Sequence, residues 1–98
     1  MDSDILSVKI TDTEQWYDIR PQILWFARAN PEYRKDFMAV LIAIDNKMRE
    51  ASQILVDLRR KPDSAALKQC YDSKVQEAND ILEPVQQNLL LMILAKPS

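Results

Sequence analysis

The stretch that decides the fold is DLRRKPDS, residues 57–64. It reads as the end of one helix, a tight turn and the start of another. Arg59, Arg60 and Lys61 stand where a helix C-terminus favours cations. Pro62 disfavours helical backbone at the residue before it. Asp63 or Ser64 then offers a side-chain oxygen to cap a second helix from about residue 64. The apolar spacing on both sides agrees. Upstream, Phe37, Leu41, Ile44, Met48, Ala51, Leu55 and Leu58 step by 4, 3, 4, 3, 4, 3. Downstream, Tyr71, Val75, Ala78, Leu82, Val85, Leu89 and Met92 step the same way. Each is an unbroken coiled-coil-like seam of three heptads. Two such seams joined by about three residues fold back on each other. The prediction is a long antiparallel hairpin over 31–61 and 64–95.

Composition supports helices. The chain has 98 residues and no glycine, so folds rich in tight turns are disfavoured. At this length one domain is expected, and it buries roughly 60–65% of its unfolded surface. The net charge of −2 leaves no domain-wide basic field for nucleic acid. A single cysteine, Cys70, precludes an internal disulfide framework and points to a reducing, cytoplasmic setting. The acidic opening MDSDILSVKI is not expected to act as a signal peptide. No segment reaches the ~20 apolar residues of a membrane span.

The hairpin needs a cover, because Val40, Ile42, Ile54, Val56 and Ile81 lie off its seams. The aromatic-rich segment 12–29 is the available lid, as one helix or two. Thr11 and Glu14 form a candidate capping box, so this helix is expected to begin near residue 12. Trp16, Ile19, Ile23, Leu24, Trp25, Phe26 and Ala27 carry its apolar load, and Pro21 should kink or divide it. In NPEYRKDF, residues 30–37, Asn30 is the expected cap and Pro31 the first helical residue. Pro84 falls inside the second seam without shifting its phase, so a kink or a short break is expected there. The fold class is therefore an all-α bundle of three to four helices. In residues 1–10, Leu6, Val8 and Ile10 alternate with polar residues. This segment is a loose tail, packs across the helices, or pairs with another chain.

The chain ends on NLLLMILAKPS, residues 88–98, with six apolar residues in a row from Leu89 to Leu94. The hairpin places this run beside residues 31–37, near the equally apolar Ile23–Ala27. The two stretches are expected to bury one another in part. Six consecutive apolar residues cover every side of a helix, whereas a helix in a small bundle buries one stripe. The remainder forms an exposed patch of the sort that marks interaction sites. Trp25, Leu90, Leu91, Ile93 and Leu94 are the partner-binding candidates at this end, and Arg59, Arg60 and Lys61 are those at the turn.

Catalytic chemistry finds little support. Without histidine there is no His-activated nucleophile, and without glycine no phosphate loop. No enzyme activity, cofactor or metal is expected. Cys70 is expected at the seam's edge as a small half-buried residue. Glu77, Asp80 and Glu83 share one helix face, where a solvated acidic stripe is expected; a hard cation would need further ligands from a neighbour. Of Trp16, Tyr17, Trp25, Phe26 and Tyr33, most are expected in the core, although Trp and Tyr also anchor interfaces.

One stretch carries a local resemblance. KPDSAALKQCYDSKVQEAN, residues 61–79, resembles the turn and second-helix start of type III secretion needle subunits, at Lys61, Pro62, Ala66, Leu67, Tyr71, Ser73, Lys74, Glu77 and Asn79. It covers a fifth of the chain. It implies a small helical hairpin that polymerises through its helices, and the aromatic N-terminal third and Pro84 depart from it. Two functions follow as expectations: a small helical adaptor, chaperone or inhibitor that binds a protein partner or itself, or a structural subunit of a homo-oligomeric assembly.

Overall fold

The structure is a computed structural model that describes residues 8–95, without the side chains of Ile93 and Ala95. Three α-helices and one 3-10 turn follow in order: α1 Thr13–Ala29, the turn Pro31–Tyr33, α2 Arg34–Arg60 and α3 Ala65–Ala95. The body measures 53 × 21 × 18 Å. Helices α2 and α3 form the antiparallel hairpin, and α1 packs on α2. This is the all-α hairpin bundle that the two seams predict.

The decisive turn is built from its own polar groups. The Lys61 N–H donates to Asp57 O at 3.0 Å and closes α2. The Ser64 N–H returns to Lys61 O at 3.1 Å, and Ser64 Oγ accepts from the Leu67 N–H at 3.2 Å. Ser64 rather than Asp63 therefore caps α3. Capping of this type is worth about 1 kcal/mol.

The seams bury what they were expected to bury, but only over part of their length. Phe37, Leu41, Ile44, Met48 and Ala51 on α2 pack against Val75, Ala78, Leu82, Val85 and Leu89 on α3. Nearer the turn, Leu55, Leu58 and Tyr71 are half-buried. The reason is the reach of α1. Its 17 residues span about 25 Å, against about 40 Å for the 27 residues of α2. It runs antiparallel to α2 with Trp16 at the level of Asp45, so the turn half of the hairpin has no third helix. Val56, at 42% exposure, consequently stays outside the lid, whereas Ile42, at 56%, lies within the reach of α1 but off the stripes of α2 that are buried. That corrects the expectation that the N-terminal third covers them.

Several helix-end details also differ. Asp12, not Thr11, caps α1, and its carboxylate accepts from the Gln15 N–H at 2.7 Å. The Gln15 side chain turns back to accept from the Thr11 N–H at 2.7 Å and from the Thr11 hydroxyl. The box is displaced by one residue because Asp12 supplies a charged acceptor at the positive helix end. Asn30 caps the end of α1 instead of the start of α2: its N–H and side-chain amide both donate to Phe26 O, at 3.1 and 3.0 Å. A 3-10 turn absorbs Pro31 before α2 begins. Pro21 and Pro84 both lie within continuous helices, so neither divides its element.

Residues 8–10 are held across the helices. The Ile10 N–H donates to Asn79 Oδ1 at 2.7 Å, and Asn79 Nδ2 donates to Ile10 O at 2.8 Å. Gln86 Nε2 donates to Val8 O. Val8 lies opposite Gln86 and Ile10 opposite Asn79, so the segment runs antiparallel to α3. Ile10 enters the core at 2% exposure. Of the three options for this segment, its last three residues take the one in which it packs across the bundle. Residues 1–7 lie outside the described part.

Candidate partner-binding surfaces

The end of the bundle away from the turn carries the apolar candidates. Leu89 is buried in the same core cluster as Ile23, Phe26 and Ala27. Met92 is half-buried against the same core, while three leucines of the run face water. Leu90 is 43% exposed, Leu91 64% and Leu94 72%. Spacings of three and four residues along α3 place Leu94 beside both Leu91 and Leu90. Single exposed leucines are ordinary, but three contiguous ones on the final turns of a helix form a patch. The side chain of Ile93 lies outside the described part.

Trp25 belongs to the same end. Its ring meets Phe26 edge-on, with centroids 5.1 Å apart and planes at 86°. Phe26 is buried, while Trp25 stays 57% exposed. Tyr33 is also exposed and leans on buried Phe37 at 6.2 Å. The core therefore takes Trp16, Phe26 and Phe37, and leaves Tyr17, Trp25 and Tyr33 outside. The expectation that most N-terminal aromatics are core is corrected. α1 presents one stripe to α2, and its four aromatics cannot all share it, while Tyr33 stands in the 3-10 turn.

At the opposite end, Arg59, Arg60 and Lys61 are all exposed. Among the described residues none of them has an ion-pair partner. Cys70 is also exposed, which corrects the half-buried expectation. One residue of helix turns it about 100° away from Tyr71 and off the narrow two-helix contact.

Between the two ends, the acidic stripe on α3 meets lysines. Lys47 Nζ lies 3.6 Å from Glu77, and Lys74 Nζ lies 2.8 Å from Glu50 and 3.5 Å from Glu77. Asp80 accepts from Gln76 Nε2 at 2.9 Å. Among the described residues no three metal-ligating side chains come together. The hydrogen bond from Lys74, then its charge, holds the Glu50 carboxyl below its ordinary value. The hydrogen bond to Glu50 raises the Lys74 ammonium. A lowered carboxyl adds stability that is lost as pH falls through its folded-state value. A raised amine adds stability that is lost as pH climbs through its own. Glu50→Gln should therefore flatten both the acid and the alkaline shoulders of a plot of melting temperature against pH. The change at neutral pH should be small, because both groups are solvated and screened. Thermal melts from acid to alkaline buffer check this.

Two constellations escaped the sequence reading. The first is Trp16, Arg20 and Asp45, which joins α1 to α2. Trp16 Nε1–H donates to Asp45 Oδ1 at 2.8 Å, and Arg20 Nε and Nη2 donate to the same carboxylate at 3.1 Å. The second is the pairing of Asn79 and Gln86 with the N-terminal segment. Asp45 had a faint signal, a charged residue between seam positions 44 and 48.

The described residues thus define a small all-α bundle on an antiparallel hairpin, with an apolar end, an ion-paired middle and a basic tip. No family model, curated protein or solved structure matches the chain. No helix among the described residues is long and apolar enough to cross a membrane.

Proposed function

We propose that this chain is a non-enzymatic protein-binding module whose apolar end docks on a partner helix or on a second copy. The observation that carries the reading is the contiguous exposure of Leu90, Leu91 and Leu94, with Trp25 at the same end. Burying a leucine or tryptophan side chain contributes roughly 1.5–3 kcal/mol, so four of them form the core of a usable interface. Polar and charged residues around the patch would set orientation more than affinity. Arg59, Arg60 and Lys61 serve as a second, electrostatic contact in this reading.

A second reading is a structural subunit of a homo-oligomeric or filamentous assembly. It draws on the elongated body, 53 Å against 21 and 18 Å, which exposes apolar surface at one end. Mass measured against concentration separates the two. An adaptor settles at a small fixed stoichiometry, while a filament subunit keeps growing.

Leu91→Glu combined with Leu94→Glu is expected to weaken self-association or partner capture by at least about 30-fold, the scale of a lost hot spot. Helicity should survive, because both side chains face water. Leu94→Lys, whose charge suits a helix C-terminus, is a second variant. Light scattering and circular dichroism on the same samples check this. Folded variants with unchanged association would refute the role of this end.

A further inference from the structure

The face of α2 that α1 covers does not stop where α1 begins. Trp16, Arg20, Asp45, Met48 and Ser52 line one hollow, which marks the row of α2 that faces α1. Continued by threes and fours toward the turn, that row passes through Leu55, Val56 and Arg59. On α3, the row that receives Ile10 at Asn79 continues through Val75, Tyr71 and Lys68. Between these rows lies roughly 15 Å of hairpin with no third helix over it, from the lengths of α1 and α2. Its floor is apolar and incompletely covered. Leu55 and Tyr71 are half-buried and Val56 is exposed, whereas Ile44 and Met48 beneath α1 are sealed.

Its rim is basic. Arg49, Arg59 and Lys68 are exposed along this side, against Asp72 as the acid on the same side of α3, while Arg60 lines a separate hollow with Asp57 and Lys61. None of these three cations has an ion pair among the described residues, while the middle of the hairpin is bridged by Lys47 and Lys74. We infer that this groove receives an acidic amphipathic helix of about ten residues from a partner protein, lying where α1 would lie if it were longer. The aliphatic floor calls for leucine-like side chains at i, i+3 or i+4, and i+7, and the rim calls for glutamate or aspartate beside them. A second copy is disfavoured, since it would bring one basic tip onto another. A phosphate backbone has no use for Leu55 and Val56, and a bilayer does not enter a groove between two helices. A ten-residue helix covers well under the ~800 Å² per partner of a standard interface, so binding is weak and transient. The inference does not rest on the apolar end.

The test uses the full chain and a twelve-residue side-chain-stapled helix, with leucines at the spacing above and glutamates flanking them. Its counterpart carries lysines in place of the glutamates. Amide chemical shifts should move on titration with the glutamate peptide at 52–60 and 68–75, and not at 90–94. Binding should weaken roughly tenfold between low salt and about 0.5 M salt, where the screening length falls below 5 Å. Arg59→Glu and Lys68→Glu should each abolish the response. Lys68→Glu keeps the fold, because an acid suits the first turn of α3. No shift at millimolar peptide, equal binding of the lysine peptide, or shifts elsewhere would overturn the inference. So would tighter saturation of the same residues by a poly-dT oligonucleotide or phosphatidylserine vesicles, or dimerisation of the chain through this face.

Discussion

Trp16→Ala is expected to destabilise the bundle by about 3–5 kcal/mol, the usual loss for a buried aromatic truncated to alanine. A domain of this size holds only about 5–10 kcal/mol in total, so the variant should sit near the edge of folding. Trp16 has no exposed surface and is the largest fully buried side chain. It packs α1 against the hairpin, and its indole N–H ends on Asp45 at 2.8 Å. Truncation leaves a cavity between α1 and α2 and removes one of the donors to Asp45. Two milder variants separate these effects. Trp16→Phe keeps most of the volume and deletes the donor, and should cost about 1–2 kcal/mol. Asp45→Ala keeps the volume and orphans the indole N–H while freeing Arg20. It should cost about 1–3 kcal/mol, toward the lower end because Arg20 and Asp45 are partly in water. Urea titrations followed by circular dichroism give all three values. If Trp16→Ala costs no more than Trp16→Phe, α1 is not a structural part of this bundle.

The hairpin was legible because its information is local and repeated. Seven apolar positions per helix, the cations at 59–61, Pro62 and the Ser64 oxygen all specify the same turn and register. The third helix was legible as apolar load, but its shortness relative to α2 leaves the turn half of the hairpin bare. Seventeen residues cannot cover twenty-seven, and this alone explains why Leu55, Val56 and Tyr71 lack the burial of Ile44. The apolar end was legible as an excess, since six consecutive apolar residues exceed one stripe. Which of them face inward follows from phase: Leu89 is on the seam, and Leu90, Leu91 and Leu94 are off it. Least legible were contacts made by side-chain amides over long sequence separations. An asparagine on a helix has many possible partners, and no periodic pattern announces that Asn79 reads the backbone 69 residues away.

Asn79→Ala is expected to release the N-terminal segment from the bundle. The Asn79 amide accepts from the Ile10 N–H and donates to the Ile10 carbonyl, so it satisfies both backbone groups of one residue. Without it, a docked Ile10 would leave a donor and an acceptor unsatisfied, at about 1–3 kcal/mol each. Burial of the isoleucine side chain offers only about 1.5–3 kcal/mol in return. Undocking also restores backbone freedom worth about 1–2 kcal/mol per residue. Release is therefore the cheaper outcome, and the net loss of global stability should be about 1–3 kcal/mol. Exchange of the Ile10 amide with solvent should accelerate by orders of magnitude, and proteolysis should open at 8–12. Asn79→Asp sharpens the argument. Its carboxylate still accepts from the Ile10 N–H but turns an oxygen toward the Ile10 carbonyl, so the segment should be loose at neutral pH. Protonation restores a donor, so docking should recover in acid, opposite in sign to the loss of the Glu50–Lys74 pair over the same pH range. Ile10→Ala completes the cycle. If the amide acts by holding Ile10, then Asn79→Ala and Ile10→Ala together should cost barely more than either alone. Additive costs would mean that Asn79 stabilises α3 by some other route, such as its bond to Val75 O at 3.2 Å.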